Sequence, residues 1–218
     1  MPTTDYRLTD GTRVPGTTTV ISASLGWNKG ALMHWAWTEG KEGRNYRDTQ
    51  QTAADAGTLA HAMVEAHIRK RPFVAPPTAT PEQHRLAGLS YAAFQEWFDQ
   101  SRIALVETEM HLVSPEYRFG GTPDAVGRSK GNLCLLDWKT SRGIYAEYLI
   151  QLAAYEHLWN TNREELITGG IHTCRFDKVS GGFSHHWWPS EALRPAWRAF
   201  LALRELYDLQ REMKALAA

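Results

Sequence analysis

The segment Leu135-Leu136-Asp137-Trp138-Lys139-Thr140-Ser141 places an acid and a base inside an apolar run. Side chains of a β-strand point alternately to the two faces of a sheet, so Asp137 and Lys139 share one face. Leu136 and Trp138 then point to the opposite, apolar face. The segment therefore predicts a strand with a carboxylate next to an ammonium group on one of its faces.

A second acid is predicted to lie on the neighbouring strand. The tetrapeptide Gly121-Thr122-Pro123-Asp124 comes before the turn-rich residues 128–132, and both flanking segments have strand composition. A hairpin folded about residues 129–131 places Asp124 roughly opposite Leu135, one diagonal step from Asp137. The two carboxylates and the Lys139 ammonium group are therefore predicted to converge.

Convergent carboxylates favour a divalent cation. Two carboxylates a few ångströms apart repel each other, and an ion such as Mg²⁺ relieves this repulsion by taking both as oxygen ligands. Such an ion can activate water for phosphodiester hydrolysis, and Lys139 can orient or help deprotonate the attacking water. An isolated Asp-x-Lys pair is more often a solvated strand face, but the apolar strand, the hairpin and the Pro123-Asp124 pair favour a site.

The rest of the chain alternates helical and strand patterns. Asp10-Gly11 predicts a short hairpin, and residues 17–19 are expected to cap a short helix. Longer helices are predicted at 29–42, 50–71, 82–100, 145–159 and 190–216, and strands at 103–113, 117–127, 133–139, 169–177 and 183–188. We expect an α/β fold in which a central mixed sheet of four or five strands is flanked by helices, with the N-terminal helices forming a wall or arch over the site.

Length and composition predict one domain over residues 1–218. Its parts are a mostly helical N-terminal part (1–102), a catalytic sheet and helix (103–188) and a C-terminal helix (189–218). The 24 basic and 24 acidic residues cancel, which counts mildly against a nucleic-acid partner because no global positive field exists. No signal-peptide pattern and no run of about 18 apolar residues occurs, so we expect a soluble protein of the bacterial or phage-infected cytoplasm without membrane contact.

Three motifs together resemble the RecB-like branch of the PD-(D/E)XK nucleases in order and spacing. They are Gly121-Thr122-Pro123-Asp124, Asp137-Trp138-Lys139-Thr140-Ser141 and Gln151-x-x-x-Tyr155. The resemblance implies a restriction-endonuclease-like core. It also implies Asp124, Asp137 and the backbone carbonyl of Trp138 as metal ligands, with Lys139 as the catalytic lysine.

The same resemblance implies residues that contact DNA. Gln151 and Tyr155 are expected to face both the catalytic site and the DNA, since their spacing puts them on one side of a helix. Ser141 and Arg142 are further candidates for DNA binding. Arg142 is the preferred phosphate contact because it directly follows the catalytic strand.

Upstream residues extend the resemblance. Gly57-Thr58-Leu59-Ala60-His61 is similar to a helical histidine element of the branch, which implies His61 as a metal ligand. A lone helical histidine is more often a surface or hydrogen-bonded residue, so only the downstream motifs support this role. Glu65, one turn later, and Glu109 are expected to support the metal ligands, although Glu109 beside Glu107 would also suit an exposed edge. A nitrogen ligand favours Mn²⁺ alongside Mg²⁺.

The N-terminal portion resembles phage-encoded members and the mitochondrial genome-maintenance exonucleases, through residues 14–20 and Leu32-x-x-Trp35-Ala36. With only Cys134 and Cys174 present, an iron–sulfur cluster is not expected. The absence of a P-loop motif means that a helicase or recombinase partner would supply unwound DNA. We expect a metal-dependent exonuclease that favours single-stranded DNA ends in replication, recombination or repair. The alternatives are a structure- or sequence-specific endonuclease and a non-catalytic DNA-binding subunit.

Overall fold

The computed structural model describes residues 4–27, 29–141, 143–177 and 182–217. A 3₁₀ turn at Ser190–Leu193 leads into the last helix. In chain order the strands and α-helices are β1 (Tyr6–Arg7), β2 (Arg13–Val14), α1 (Thr17–Ser24), α2 (Lys29–Lys41), α3 (Tyr46–Ile68), α4 (Pro81–Ser101), β3 (Ala104–Thr108), β4 (Leu112–Ser114), β5 (Phe119–Gly121), β6 (Ala125–Ser129), β7 (Asn132–Lys139), α5 (Ala146–Asn162), β8 (Ile171–Phe176), β9 (Phe183–Trp188) and α6 (Arg194–Leu216).

The central sheet is mixed and has five strands in the spatial order β3-β6-β7-β8-β9. β6 and β7 form an antiparallel hairpin, whereas β7 and β8 run parallel and are joined through α5. β9 closes the sheet as an antiparallel neighbour of β8. The predicted α/β fold with a mixed sheet flanked by helices is confirmed.

The two faces of β7 pack against different helices, as its alternating sequence predicts. Leu136 and Trp138 face α3 and α4, where the Trp138 ring lies 5.5 Å from the ring of Phe94 and 5.6 Å from that of Trp97. Leu135 packs on the other face in a core built with residues of α1, α5 and α6. In the described part of the chain, no helix combines the length and apolarity that crossing a membrane requires.

The N-terminal hairpin is confirmed and is anchored to β5. The Gly120 amide donates a hydrogen bond to the Pro15 carbonyl at 2.9 Å. A side chain at position 120 would clash with Tyr6, since a Cβ atom there would lie 2.3 Å from the Tyr6 ring. The predicted capping role of residues 17–19 is wrong, because the helix is preceded by Gly16 and the Thr17 hydroxyl donates instead to the Gly120 carbonyl at 2.9 Å.

Two predicted strands are each divided into two shorter ones. The segment 103–113 breaks at Glu109, which has a φ of 52° and donates its amide to the Asp124 carbonyl at 3.0 Å. The segment 117–127 breaks at residues 122–124, where Pro123 has no amide to contribute to a ladder. These breaks leave β4 and β5 as a separate two-stranded sheet and place Glu109 and Asp124 together at the bend.

The β6–β7 hairpin determines which residues oppose one another. Its loop is the dipeptide Lys130-Gly131, with φ of 50° and 88°, as a two-residue type I′ turn requires. This loop pairs Ala125 with Leu136. Asp124, one residue earlier, therefore faces Asp137.

The predicted register is wrong by two residues at this point. It folded the chain about residues 129–131 and so put Asp124 roughly opposite Leu135, whereas the turn is centred between residues 130 and 131. Ser129 pairs with Asn132 in the structure, so the strands extend right up to the turn. The two acids are consequently direct cross-strand neighbours instead of diagonal ones.

Candidate active site

The predicted site residues line one open cleft of about 1330 Å³ at the end of β7. The cleft lies between α3 on one side and α5 on the other, and the first turn of α1 also lines it. Arg142 lies outside the described residues. The predicted residues that line the cleft are His61, Glu65, Glu109, Asp124, Asp137, Trp138, Lys139, Ser141, Gln151 and Tyr155.

Asp137 and Lys139 form a buried ion pair at the floor of the cleft. The Lys139 ammonium nitrogen lies 2.8 Å from each carboxylate oxygen of Asp137, whose side chain is only 1% exposed. Burial raises the pKa of Asp137 above its ordinary value, and the nearby Asp124 carboxylate raises it further, although Lys139 acts against both. Burial lowers the pKa of Lys139, but Asp137 and Asp124 outweigh this effect and the net shift is upward. Lys139 is therefore held in its charged form.

A hydrogen-bonded chain from α5 fixes the lysine from the other side. The Lys139 ammonium group donates to Oε1 of Gln151 at 2.7 Å, and Nε2 of Gln151 donates to the Tyr155 hydroxyl at 3.1 Å. Burial, together with the acids of the site, raises the pKa of Tyr155 well above its ordinary value, so the phenol stays protonated. Gln151 and Tyr155 thus meet on one face of α5, as their spacing predicts.

Asp124 and His61 meet at the backbone of Trp138. Oδ2 of Asp124 accepts a hydrogen bond from the Trp138 amide at 2.8 Å. His61 approaches from α3 and donates from Nε2 to the Trp138 carbonyl at 3.0 Å, since a carbonyl oxygen can only accept. Nδ1 of His61 lies 3.8 Å from Oδ1 of Asp124. Both faces of the sheet thus contribute side chains to the same strand end.

Three side chains offer ligand atoms that could hold one cation. His61, Glu109 and Asp124 each present a nitrogen or oxygen atom within 4.8 Å of the other two. Asp137, which the family resemblance implies as a ligand, is not part of this trio and has both oxygens in contact with Lys139. Glu109, expected only to support the ligands, is a member of it. The mixed nitrogen and oxygen donor set suits a divalent cation.

Glu109 is held at the bend between β3 and β4 in a left-handed backbone conformation. Burial raises the pKa of its carboxyl group to about 7, and the Asp124 and Glu65 carboxylates raise it as well, while Arg69 opposes them. Such a group is costly to ionise unless a cation lies beside it. A divalent ion bound beside these carboxylates would offset their mutual repulsion.

Glu65 and Ser141 have structural partners of their own. Glu65 pairs with Arg69 at 2.9 Å and Arg71 at 2.6 Å, so its charge is partly neutralised at the edge of the cleft. The Ser141 hydroxyl donates to the Gly143 carbonyl at 2.8 Å, and the Ser141 carbonyl accepts from Arg175 at 2.9 Å. Ser141 thus shapes the loop after β7 while lining the cleft.

Sequence reasoning missed two features of the site. Tyr148 lies one helical turn before Gln151 on α5, and its ring centre is 5.1 Å from the Lys139 ammonium nitrogen. An aromatic residue at this spacing could have been found as a third member of the Gln151 and Tyr155 face. Gly57 allows α3 to approach the end of β7, because a Cβ atom there would lie 2.8 Å from Oγ1 of Thr140. No local pattern reveals that contact.

The fold and the site together define a restriction-endonuclease-like nuclease core. Its features are the acids Asp124 and Asp137 at adjoining strands, the buried Lys139 two residues after Asp137, and a mixed sheet between helices. The model of the PD-(D/E)XK nuclease superfamily matches residues 6–214. The chain belongs to that superfamily.

Solved structures with similarity to the chain include two bacterial proteins. The alkaline exonuclease LHK-Exo of Laribacter hongkongensis is 13% identical, with a TM-score of 0.38 over 76% of this chain and 92% of its own. LHK-Exo is also known in complex with dAMP. A candidate exonuclease from Eubacterium rectale is 11% identical, with a TM-score of 0.46 over 69% of this chain and 68% of its own. No curated protein sequence matches the chain.

Proposed function

We propose that this protein is a metal-dependent DNA exonuclease whose whole chain works as one nuclease domain. The observation that carries the proposal is the meeting, in one cleft, of the trio His61, Glu109 and Asp124 with the Asp137–Lys139 ion pair. Carboxylates gathered around a lysine at the end of a strand suit phosphodiester hydrolysis, in which charge builds up on phosphate oxygens.

The trio and the Trp138 carbonyl are the groups that would hold a Mg²⁺ or Mn²⁺ ion, with Asp137 as a further proposed ligand. When bound, such an ion polarises the phosphate and lowers the pKa of a coordinated water. Asp124 contributes in addition through the Trp138 amide, which it holds in place at 2.8 Å. The end of β7 is therefore kept rigid where the ligands converge.

Lys139 acts in its charged form under this proposal. Its raised pKa and its contacts with Asp137 and Gln151 favour an ammonium group that orients the attacking water and stabilises the developing negative charge. Of the two roles open to the lysine from its sequence, orientation is thus the better supported. Gln151 and Tyr148 hold the ammonium group in position from α5.

The proposed substrate is a DNA strand with a single-stranded end. Pockets for small molecules usually measure about 300–1000 Å³, and this cleft is larger and open. The preference for single-stranded ends and a role in phage or bacterial replication, recombination or repair follow from the family resemblance. A helicase or recombinase would supply such ends, because the sequence has no P-loop of its own.

Cleavage of end-labelled linear DNA, single- and double-stranded, with Mg²⁺, Mn²⁺ or a chelator tests the proposal. We expect Asp137→Ala and Lys139→Ala to lower the rate by on the order of 10²–10³-fold, as loss of a group that stabilises transition-state charge does. Lys214→Ala, on the exposed last turn of α6, is the matched control and should cut normally. If both site variants cut as fast as the parent, the proposal fails. Cuts in a closed circle would instead identify an endonuclease.

A further inference from the structure

We propose that Arg211 on α6 binds a phosphate of the DNA strand that lies in the cleft, an inference that rests on the proposed nuclease function. Arg211 lines the same cleft as the metal-ligand trio, but it belongs to an element that carries no member of the trio. α6 also contributes Tyr207 to the lining of the cleft, and the N-terminal hairpin contributes Tyr6 and Arg13.

The charges of the cleft are unevenly distributed along its wall. Its acidic residues come from α3 and from the sheet region around β3 to β7, whereas β2 and α6 contribute Arg13 and Arg211 and no acid. A DNA backbone is repelled by carboxylates that no cation compensates and attracted by arginine. A DNA strand with one phosphate at the trio is therefore best accommodated if its neighbouring phosphates lie on the side of the cleft that α6 lines. The acidic residues that line the cleft are Asp55, Glu65, Glu109, Asp124 and Asp137.

Arg211 is the cleft cation best able to bind a ligand. Lys139 is already held by Asp137 and Gln151, and Arg13 pairs with Asp5 at 3.0 Å. Arg211 is exposed and makes no ion pair with any residue in the described ranges. An arginine fork matches the geometry of a phosphate and can donate two parallel hydrogen bonds to it.

The helix that presents Arg211 is firmly anchored. The buried Arg204 donates from Nε to the carbonyls of Tyr117 and Arg118 at 3.1 and 3.2 Å. These hydrogen bonds fix α6 against the residues that directly precede β5. Tyr207, one turn before Arg211, lies on the same side of the helix and also lines the cleft. An arginine on a rigid helix loses little conformational freedom when it binds a phosphate, so it can determine where the DNA strand runs in the cleft.

Binding of a fluorescein-labelled oligothymidylate of about 20 nucleotides, followed by anisotropy with a chelator present, tests the inference. We expect Arg211→Ala to raise the Kd by about tenfold. The logarithm of the association constant decreases as the logarithm of the salt concentration rises. We expect Arg211→Ala to make this slope less negative by about 0.7, which is the effect of losing one phosphate contact on a single strand. Arg198→Ala is the matched control, because Arg198 is exposed on the same helix about 140° away at 3.6 residues per turn.

The outcomes separate this inference from the proposed function. If the parent cleaves DNA and Arg211→Ala binds it as tightly and with the same salt slope as Arg198→Ala, Arg211 does not contact phosphate and the nuclease assignment stands. If the parent neither binds nor cleaves DNA, both proposals are overturned. Oligonucleotides with and without a 5′-phosphate locate the contact: an equal loss assigns it to internal phosphates, and a loss confined to the phosphorylated strand assigns it to the terminal one.

Discussion

Nε2 of His61 donates a hydrogen bond to the carbonyl oxygen of Trp138 at 3.0 Å, although the two residues are 77 positions apart in the sequence. This contact connects α3 to the end of β7, with Asp124 holding the amide of the same residue. The same Nε2 atom cannot donate this bond and ligate a cation, because ligation uses the nitrogen lone pair. With Nε2 protonated, the lone pair lies on Nδ1, 3.8 Å from Oδ1 of Asp124, so His61 can offer Nδ1 to a cation while it keeps this hydrogen bond.

Replacing His61 with Ala should weaken Mn²⁺ binding by at least about tenfold, because the trio loses its nitrogen donor. Isothermal titration calorimetry of the metal-free protein measures this directly. His84→Ala, at an exposed position of α4, serves as the control and should bind Mn²⁺ like the parent. Equal affinity of the His61 variant would remove this residue from the ligand set.

Replacing Gln151 with Leu should lower kcat by about 10- to 100-fold while the protein stays folded. The variant keeps the bulk of the side chain but loses the acceptor 2.7 Å from the Lys139 ammonium group and the donor to Tyr155. The lysine would then be less well oriented at an unchanged charge. Steady-state cleavage and thermal unfolding separate the two effects. Gln50→Leu, at an exposed position of α3, is the control, and a Gln151 variant with parental kcat would contradict the positioning role.

Replacing Gly57 with Ala should weaken metal binding more than it changes stability. The new methyl group would lie 2.8 Å from Oγ1 of Thr140, so either the Thr140 side chain rotates or α3 moves away from the end of β7 and takes His61 with it. Alanine inside a helix gains roughly 0.5–1 kcal/mol over glycine, which offsets part of the strain.

Two further variants distinguish this displacement from a general helix effect. Adding Thr140→Ala to Gly57→Ala removes the obstructing oxygen and should restore metal affinity in calorimetry. Gly88→Ala on α4 meets no atom within 4 Å and should only stabilise the protein in urea unfolding. If Gly57→Ala binds Mn²⁺ normally, close approach of α3 to β7 is not needed for the site.

Glu109 should make the metal-free protein less stable as the pH rises. Its pKa is about 7 in the folded state against 4.5 ordinarily, so the folded state holds a proton that the unfolded state has lost between these values. The free energy of unfolding therefore falls across this window, by up to roughly 3 kcal/mol. Glu109→Gln removes this dependence and should be more stable than the parent above about pH 7 but not below about pH 4.5.

Urea unfolding with a chelator at the two pH values measures this difference, with Glu96→Gln on the exposed side of α4 as the control. Adding Mn²⁺ should reverse the order, because a cation favours the charged carboxylate that only the parent has. A parent and a Glu109 variant with the same pH profile would show that the carboxyl group is not perturbed.

The sequence predicts the parts of the fold that local periodicity encodes. The alternation in β7 separates Asp137 and Lys139 from Leu136 and Trp138, and the structure places these pairs on opposite faces of the sheet. The predicted bounds of β9 agree with the structure, and Pro189 directly follows its last residue. Gln151 reaches Lys139 because the helix that follows β7 must cross the same face.

Other parts depend on contacts between distant residues and could not be predicted. The break at Glu109 arises from a backbone hydrogen bond to Asp124, 15 positions away, and it brings the Glu109 carboxyl group into the trio. The approach of Gly57 to Thr140 likewise joins segments far apart in the chain. In both cases the tertiary structure overrides what the local pattern favours.

The two-residue turn at Lys130-Gly131 lies roughly 20 Å along the strand from Asp124, at about 3.3 Å per residue. If one additional residue in this loop shifted the pairing of β6 with β7 by one position, the Asp124 side chain would point to the apolar face of the sheet. The length of a surface loop far from the cleft thus determines whether the Asp124 carboxylate reaches the candidate site.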